Sequence, residues 1–138
     1  MSSAELENLV RIGKLKLEAA SDKELRGLFD TAVENLDDAG KRDLKFSSRF
    51  HLAYSGAHGL ALYALRRLGY RSDNRYLVFQ TLQHTVGLRA EVWRVLSKAH
   101  ERRNAAEYHG ELEEDERLLA ELIAAATRLR ESIGKSSK

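Results

Sequence analysis

Apolar and polar residues alternate along this chain with the period of an α-helix. The clearest stripe follows Ser21, where apolar residues recur three and four positions apart: Leu25, Leu28, Phe29, Ala32, Val33 and Leu36. Residues at this spacing lie on one face of a helix. Ser21 and Glu24 have the spacing of a capping box, which predicts that the helix begins directly after Ser21. Residues 37–40 are expected to end it.

The most apolar segment covers residues 47–68 and predicts a helix buried on two sides. Its apolar side chains fill one wide face and part of a second: Phe50, Leu52, Ala53, Tyr54, Ala57, Leu60, Ala61, Leu62, Ala64, Leu65 and Leu68. Such a helix is either the centre of a bundle or partly a subunit interface. Ser55, Gly56 and Gly59 lower helix stability, but small residues at this spacing let another backbone approach closely.

The remaining segments predict further helices, and no strand is required. Helices are expected over residues 4–14, 74–86, 90–106 and 113–132, with a loop at 70–74, a break at 108–110 and a frayed tail from residue 134. The pattern predicts one all-α domain over residues 1–138, with its core at 21–133. We expect a bundle of about five helices with short extra ones.

Composition supports this fold and excludes several kinds of chemistry. The chain has 138 residues, 43% hydrophobic and 32% charged, which suits one domain with its own core. It has no proline, as expected of a chain built from helices. It also has no cysteine, which excludes disulfides, cysteine-ligated zinc and thiol catalysis.

The sequence also predicts where the protein resides. The first residues show no basic segment followed by an apolar core, so we expect no signal peptide. Charged residues interrupt every apolar stretch well before the ~20 residues that cross a bilayer. A cytoplasmic protein without a membrane segment is therefore expected.

The five histidines do not have the spacing of a metal site. His51 and His58 are seven positions apart, so about 10.5 Å of helix separates them, which is too far to share an ion. We interpret both as residues of a helix–helix contact and expect neither metal nor cofactor. The chain also lacks the GxSxG motif of serine hydrolases and the phosphate-binding loop of nucleotide hydrolases.

Basic residues form three groups along the chain, although the net charge is only +2. The groups are Lys41, Arg42, Lys45 and Arg49; Arg66, Arg67, Arg71 and Arg75; and Arg89, Arg94, Lys98, Arg102 and Arg103. If the fold brings the groups together, they form an electropositive face for a polyanion. A solvated surface that is partly neutralised remains the alternative.

Residues 101–110, Glu-Arg-Arg-Asn-Ala-Ala-Glu-Tyr-His-Gly, carry the most specific motif. An Arg and a polar residue followed by a His near a helix end resemble the RxxxxH-type motif of the HEPN superfamily. The order of the buried helix, the Leu-Gly-Tyr-Arg loop at 68–71, the motif and a last amphipathic helix is similar to that family over residues 21–133. More narrowly, Arg-Asn-x-Ala-Glu-Tyr resembles compact stand-alone bacterial HEPN proteins.

The resemblance implies a metal-independent endoribonuclease of toxin or defence type. In catalytic HEPN proteins, Arg and His from both protomers meet at a homodimer interface. Here Arg103 and His109 would be catalytic, with Asn104, Tyr108 and Arg102 in support. A histidine can move the proton of the 2′-hydroxyl of RNA, and an arginine can stabilise the charged phosphorane. A nucleotidyltransferase-like protein is the partner that the resemblance implies.

The spacing of the motif differs from the shorter form of the family pattern. Five residues separate Arg103 from His109, and Tyr108 stands where a four-residue gap would place the histidine. On a helix six residues correspond to a rotation of about 240°, so the two side chains converge only if the helix ends or distorts after about Ala106. The alternative function is a non-catalytic HEPN dimerisation module that binds nucleic acid, a nucleotide or a partner protein.

Overall fold

A computed structural model describes the backbone of residues 4–136 and the side chains of residues 4–134. Its elements in chain order are helix α1 (Ala4–Arg11), strand β1 (Lys16–Leu17), helix α2 (Asp22–Ala39), helix α3 (Phe46–Arg66), strand β2 (Tyr70–Arg71), and helices α4 (Arg75–Gln80), α5 (Leu82–Thr85), α6 (Ala90–His109) and α7 (Glu116–Ser136). The predicted all-α helical bundle is confirmed.

Helix α3 is the centre of the bundle, which is one of the two positions that its two apolar faces predict. It packs most extensively against α2 and α7, and it also contacts α4, α5, α6 and β2. Its contact with α2 is close because Gly56 has no side chain. A Cβ at Gly56 would lie 2.9 Å from the backbone oxygen of Ala32. At Gly59, a Cβ would lie 2.9 Å from the Cβ of Ala32.

The start of α2 lies where the capping residues predict. The Ser21 hydroxyl accepts a hydrogen bond from the backbone N–H of Glu24, at 3.1 Å. The Glu24 carboxylate accepts from the guanidinium of Arg66, at 2.9 Å. This hydrogen bond, together with the charge of Arg66, holds the pKa of Glu24 below its ordinary value. Of the two hydrogen bonds of a capping box, the one from the Glu24 N–H to the Ser21 hydroxyl is thus confirmed. The Glu24 carboxylate links α2 to the end of α3.

Arg66 is buried at this junction and satisfies backbone groups from two other segments. Its guanidinium donates to the carbonyl oxygens of Glu18, at 2.6 Å, and of Tyr70, at 3.3 Å. Only 2% of the residue is exposed. A buried guanidinium must have its donors paired, and these carbonyls provide the pairing. Arg66 therefore belongs to the folded framework and is unavailable to a polyanion.

Two short strands replace part of the expected loop structure. Strands β1 and β2 pair antiparallel, with Lys16 opposite Arg71 and Leu17 opposite Tyr70. The expectation of a loop over residues 70–74, with no strand anywhere, is therefore wrong at Tyr70 and Arg71. A two-residue strand has no periodicity to read, and its partner lies far away in the chain.

The expected helix over 74–86 is divided at Thr81, several residues before Gly87. The fully buried Thr81 hydroxyl donates to the carbonyl oxygen of Val78, at 2.7 Å. A threonine that bonds to nearby backbone competes with regular helical hydrogen bonding. The result is two short helices, α4 and α5, in place of one.

The last helix is shifted toward the C-terminus relative to its predicted range. It begins at Glu116 rather than near Glu113, because the Asp115 carboxylate accepts from the backbone N–H of Leu118, at 2.9 Å. It continues to Ser136, so the expected fraying from residue 134 is wrong for residues 134–136. Residues 137 and 138, the end of that expected tail, lie outside the described residues.

The hydrophobic core extends beyond the expected range of 21–133. Leu6 of α1 is 0% exposed and Leu15, just before β1, is 2% exposed. Both belong to the same cluster as the buried residues of α3 and α7. The N-terminal segment is thus part of the core, and α1 ends at Arg11 rather than at residue 14.

Candidate functional site

Helix α6 carries the motif residues, and it continues regularly to His109. Gly110 ends it in the left-handed conformation, at φ 77°, and donates its N–H to the carbonyl oxygen of Ala106, at 2.7 Å. The expected end of the helix near Ala106 is therefore wrong. Two pairs of side chains four residues apart support the last turns, as such pairs do in helices. These are His100 with Asn104 and Arg103 with Glu107.

Because α6 remains helical, it does not bring Arg103 and His109 together within one chain. The six residues from one to the other correspond to a rotation of about 240°, so their side chains lie about 120° apart around the helix axis. His109 is exposed, and Tyr108 beside it is 89% exposed. The Tyr108 ring contacts the ring of His109, with 5.6 Å between their centroids. His109 and Tyr108 thus lie on the outer surface at the end of the helix.

Arg103 faces the bundle and has two partners. Its guanidinium forms an ion pair with the Glu107 carboxylate, at 2.9 Å. The guanidinium carbon also lies 5.1 Å from the centroid of the Tyr54 ring on α3. A guanidinium over an aromatic face is attracted by the electrons of the ring. Arg103 is therefore oriented toward a group of α3 residues rather than toward His109.

Arg102 forms ion pairs with the segment that precedes α7. Its guanidinium lies 3.4 Å from a carboxylate oxygen of Asp115 and 3.6 Å from one of Glu113. The hydrogen bond from Leu118 is the main cause of the lowered pKa of Asp115, and Arg102 lowers it further. Arg102 thus joins α6 to the segment that precedes α7.

Asn104 contacts His100, a residue at the centre of the site that the motif does not include. Its amide nitrogen Nδ2 lies 3.0 Å from Nε2 of His100. The other ring nitrogen of His100, Nδ1, lies 2.8 Å from the hydroxyl oxygen of Tyr54. Tyr54 is 1% exposed, so a chain of hydrogen bonds runs from the core of the bundle to the surface of α6.

We name the Tyr54 cluster after the ring around which its members gather: Tyr54, His58, Arg75, His100, Arg103 and Asn104. The guanidinium carbon of Arg75 lies 5.9 Å from the Tyr54 centroid. The ring centroids of His58 and His100 lie 6.5 and 6.2 Å from it. Two guanidinium groups and two imidazoles from three helices therefore surround one buried tyrosine.

Aromatic rings complete the surroundings of the cluster. Phe79 of α4 is fully buried, and its centroid lies 5.8 Å from that of His58 and 6.3 Å from that of His100. Tyr76, also on α4, is 39% exposed and lies 6.1 Å from the His100 ring. The buried side of the cluster is thus apolar, and the Tyr76 ring on its outer side is partly exposed to solvent.

Both imidazoles of the cluster are held in the neutral form. Burial and the charges of Arg75, His100 and Arg103 lower the pKa of His58 to about 4. Burial, followed by the charges of Arg103 and Arg75, also lowers the pKa of His100. An imidazole resists protonation when it is desolvated or when cations lie nearby. Near neutral pH, the formal charge here therefore resides on the arginines.

The sequence pattern predicted the position of one of the two cluster histidines. His58 was expected to line a helix–helix contact, and its ring does contact Phe79 across the α3–α4 boundary. His51, expected to do the same, is exposed, although its ring touches the neighbouring Phe50. His100 was not selected, yet it lies one turn before Asn104. That i and i+4 spacing was the available signal.

Several residues of the three basic groups are engaged in contacts within the protein. Arg49 donates to the carbonyl oxygen of Ala39, and Arg71 pairs with Glu18. Arg66 is buried, as described above. Among the described residues, Arg75 and Arg103 are the arginines within 6 Å of the Tyr54 centroid. Two arginines from different helices, α4 and α6, therefore approach this cluster.

Within residues 4–134, whose side chains the structure describes, His, Asp and Glu form no group of three that could hold a metal ion. Within the same range, no helix combines the length and apolar content that a membrane crossing requires.

Comparison with protein-family models, with curated proteins and with solved structures finds no match for this chain. The chemistry of the Tyr54 cluster therefore carries the functional proposal.

Proposed function

We propose that this protein is a HEPN-like helical module that binds RNA at the Tyr54 cluster without cutting it. The observation that carries the proposal is the convergence of Arg75 and Arg103 on the Tyr54 ring, beside the partly exposed Tyr76. Cationic side chains attract the phosphates of RNA. An accessible aromatic ring offers a surface on which an unpaired base can stack.

The positions of the motif residues favour binding over cleavage within one chain. A general base must reach the same substrate as the arginine that stabilises the phosphorane. His109 is exposed and points away from Arg103, which pairs with Glu107. A single protomer therefore does not combine the two groups that the motif assigns to catalysis.

The test is a binding titration with fluorescently labelled single-stranded RNA of mixed sequence, followed by polarisation. We expect Arg103→Gln and Arg75→Gln each to weaken binding about tenfold and to reduce the salt dependence of the affinity by about one counterion. Arg117→Gln is the matched control, because Arg117 pairs with Glu121 four residues later, as Arg103 does with Glu107. Equal affinities for wild type and Arg103→Gln would reject the site.

The second candidate function is a metal-independent endoribonuclease, and His100 is the observation that favours it. This residue lies three positions before Arg103 on α6, and its imidazole is neutral, as a general base must be. Incubation of the protein with RNA in the presence of EDTA tests this function. Loss of cleavage in His100→Gln would identify His100 as the base, whereas loss in His109→Ala would favour the original motif.

A homodimer is part of the proposal, since the resemblance implies that Arg and His from two protomers meet. A two-fold axis near the end of α6 would bring His109 of one protomer toward Arg103 of the other. Two-fold symmetry is the commonest arrangement of homo-oligomers. Light scattering coupled to size exclusion measures the oligomeric state, and a monomeric mass with full RNA affinity would remove dimerisation from the proposal. A nucleotidyltransferase-like partner and a toxin or defence role rest on the resemblance alone.

A further inference from the structure

We propose that the Tyr54 cluster binds a phosphoryl group and takes up a proton on His100 when it does so. This inference rests on the proposed function, because it names the part of RNA that the cluster contacts. It adds a coupling between ligand and proton that neither the motif nor the resemblance implies.

Two guanidinium groups and two imidazoles surround one aromatic ring. Arg75, Arg103, His58 and His100 all lie within 6.5 Å of the Tyr54 centroid, measured to guanidinium carbons or ring centroids. The charged groups that act on His100 are Arg75 from α4, and Arg103, Glu101 and Glu107 from α6. Helix α3 contributes Tyr54 and His58, and burial keeps the pKa of His58 low, at about 4. Arg103 forms an ion pair with Glu107. Arg75 approaches the same ring from helix α4.

Such a group of side chains suits an anion and disfavours a metal cation. Neutral imidazoles are good metal ligands, but two guanidinium groups beside them repel a cation. A phosphoryl group is attracted instead of repelled, because its oxygens accept hydrogen bonds from guanidinium and imidazolium donors. The bound negative charge would also stabilise the protonated form of any imidazole beside it.

His100 is hydrogen-bonded through both of its ring nitrogens. In the neutral tautomer with its hydrogen on Nδ1, His100 donates to the Tyr54 hydroxyl oxygen, at 2.8 Å. Its Nε2 then accepts from the Asn104 amide nitrogen, at 3.0 Å. The one acceptor nitrogen of this tautomer lies at the partly exposed end of the hydrogen-bond chain. Protonation of Nε2 requires only that the Asn104 amide turns over to present its oxygen, since amide nitrogen and oxygen exchange places by a rotation of 180°.

The proton balance of the site follows from these two states. Without a ligand, His100 is neutral and Asn104 donates to it. With a phosphoryl group between Arg75 and Arg103, His100 takes a proton from solvent and becomes a third cationic donor. No covalent bond forms or breaks. Ligand affinity should therefore rise as the pH falls through the range in which the bound form of His100 is protonated.

The test is an NMR pH titration of the five histidine rings, with and without sodium sulfate, and again with inorganic phosphate. Sulfate is a suitable probe because it has the shape of a phosphoryl group and keeps its charge throughout the range. We expect sulfate to raise the pKa of His100 by about one unit, which equals a tenfold gain in anion affinity on protonation. The pKa of the exposed His109 should stay unchanged, which makes it the internal control.

A variant identifies the residue that takes up the proton. In His100→Gln, calorimetry of sulfate binding in two buffers of different ionisation enthalpy should show no proton uptake, whereas His109→Gln should behave like the wild type. Uptake that persists in His100→Gln would overturn the assignment to His100. An unchanged pKa of His100 in sulfate, with or without shifts of neighbouring signals, would overturn the coupling.

The RNA titration separates this inference from the proposed function. If sulfate raises the pKa of His100 but no RNA binds, the phosphoryl site stands and the RNA proposal fails. If RNA binds with an affinity independent of pH and of His100→Gln, RNA binding stands and the coupled site is rejected.

Discussion

At the residue scale, the decisive position is Tyr54 rather than any residue of the motif. Its hydroxyl oxygen lies 2.8 Å from His100 Nδ1, while its ring is approached by two arginines and two histidines. In the sequence Tyr54 is one apolar residue in the stripe of a buried helix. Its hydroxyl group reaches His100 only because helix α6 packs beside α3. A tyrosine of this kind joins an apolar body to a hydrogen-bonding tip.

The neutral state of His58 predicts how stability depends on pH. The pKa of His58 is about 4 in the folded protein against an ordinary value of 6.5, so in this window the unfolded chain binds a proton that the folded protein does not. Stability should therefore fall as the pH decreases from about 6.5, by about 2 kcal/mol on reaching pH 5. The lowered pKa of His100 adds to this loss with the same sign.

Urea denaturation at a series of pH values measures this effect. His58→Gln should flatten the dependence between about pH 5 and 6.5, a range in which most carboxylates remain ionised. The slope is the readout, so a general loss of stability in the variant does not obscure it. His51→Gln, at an exposed position of the same helix, is the control. Identical slopes in the two variants would mean that His58 titrates normally in the folded protein.

At the element scale, the contact between α2 and α3 depends on a missing side chain. Two backbone atoms of α2, the oxygen of Ala32 and the nitrogen of Leu36, would lie 2.9 and 3.1 Å from a Cβ at Gly56. Backbone atoms inside a helix cannot move aside separately. The sequence indicated that a backbone approaches α3 at the small residues, and the structure identifies that backbone as α2.

Alanine substitutions at two glycines test this contact. Gly56→Ala should destabilise the protein by about 1–2 kcal/mol, because the forced separation of α2 and α3 outweighs the gain in helix propensity. Gly27→Ala should instead stabilise it by about 0.5–1 kcal/mol, since Gly27 lies inside α2 and a Cβ there meets nothing within 4 Å. Thermal and urea unfolding of the pair measure both values. A stabilised Gly56→Ala protein would contradict the close packing.

Element ends were less predictable than element existence. Each long helix was predicted, but α6 ends three residues later than expected, and α4 and α5 are separated at Thr81. Helix ends depend on single hydrogen bonds, such as those at Gly110 and Thr81. For α6 the difference mattered for function, because the predicted convergence of Arg103 and His109 required the earlier end.

At the scale of the whole molecule, the N-terminal segment is built into the bundle. Leu6 and Leu15 lie in the common core, and β1 pairs with β2 across more than fifty residues of chain. The Arg66 guanidinium joins the same region to α2 and β2 through Glu24 and the carbonyl of Tyr70. We therefore expect the N-terminal segment to unfold together with the rest of the protein.

Two leucines of the N-terminal segment test this cooperation. Leu6→Ala should lower the free energy of unfolding by about 2–5 kcal/mol, since Leu6 is 0% exposed. Leu17→Ala, at a residue that is 69% exposed, should change it by less than about 0.5 kcal/mol. Both values come from urea denaturation followed by circular dichroism. Equal values for the two variants, or a separate early transition in the wild type, would show that the segment folds independently.

The sequence alone predicted the all-α class, the existence of the long helices and the cap at Ser21, and it gave the centre of the bundle as one of two possible positions for α3. These follow from periodicity and local hydrogen bonding, which act over a few neighbouring residues. Only the tertiary structure decided which side chains meet. Tyr54, Arg75 and His100 come from three helices, and no spacing along the chain relates them. The motif paired Arg103 with His109, which requires α6 to end near Ala106. The helix instead continues to His109, and the hydrogen bond at Gly110 that ends it there is not visible in the pattern.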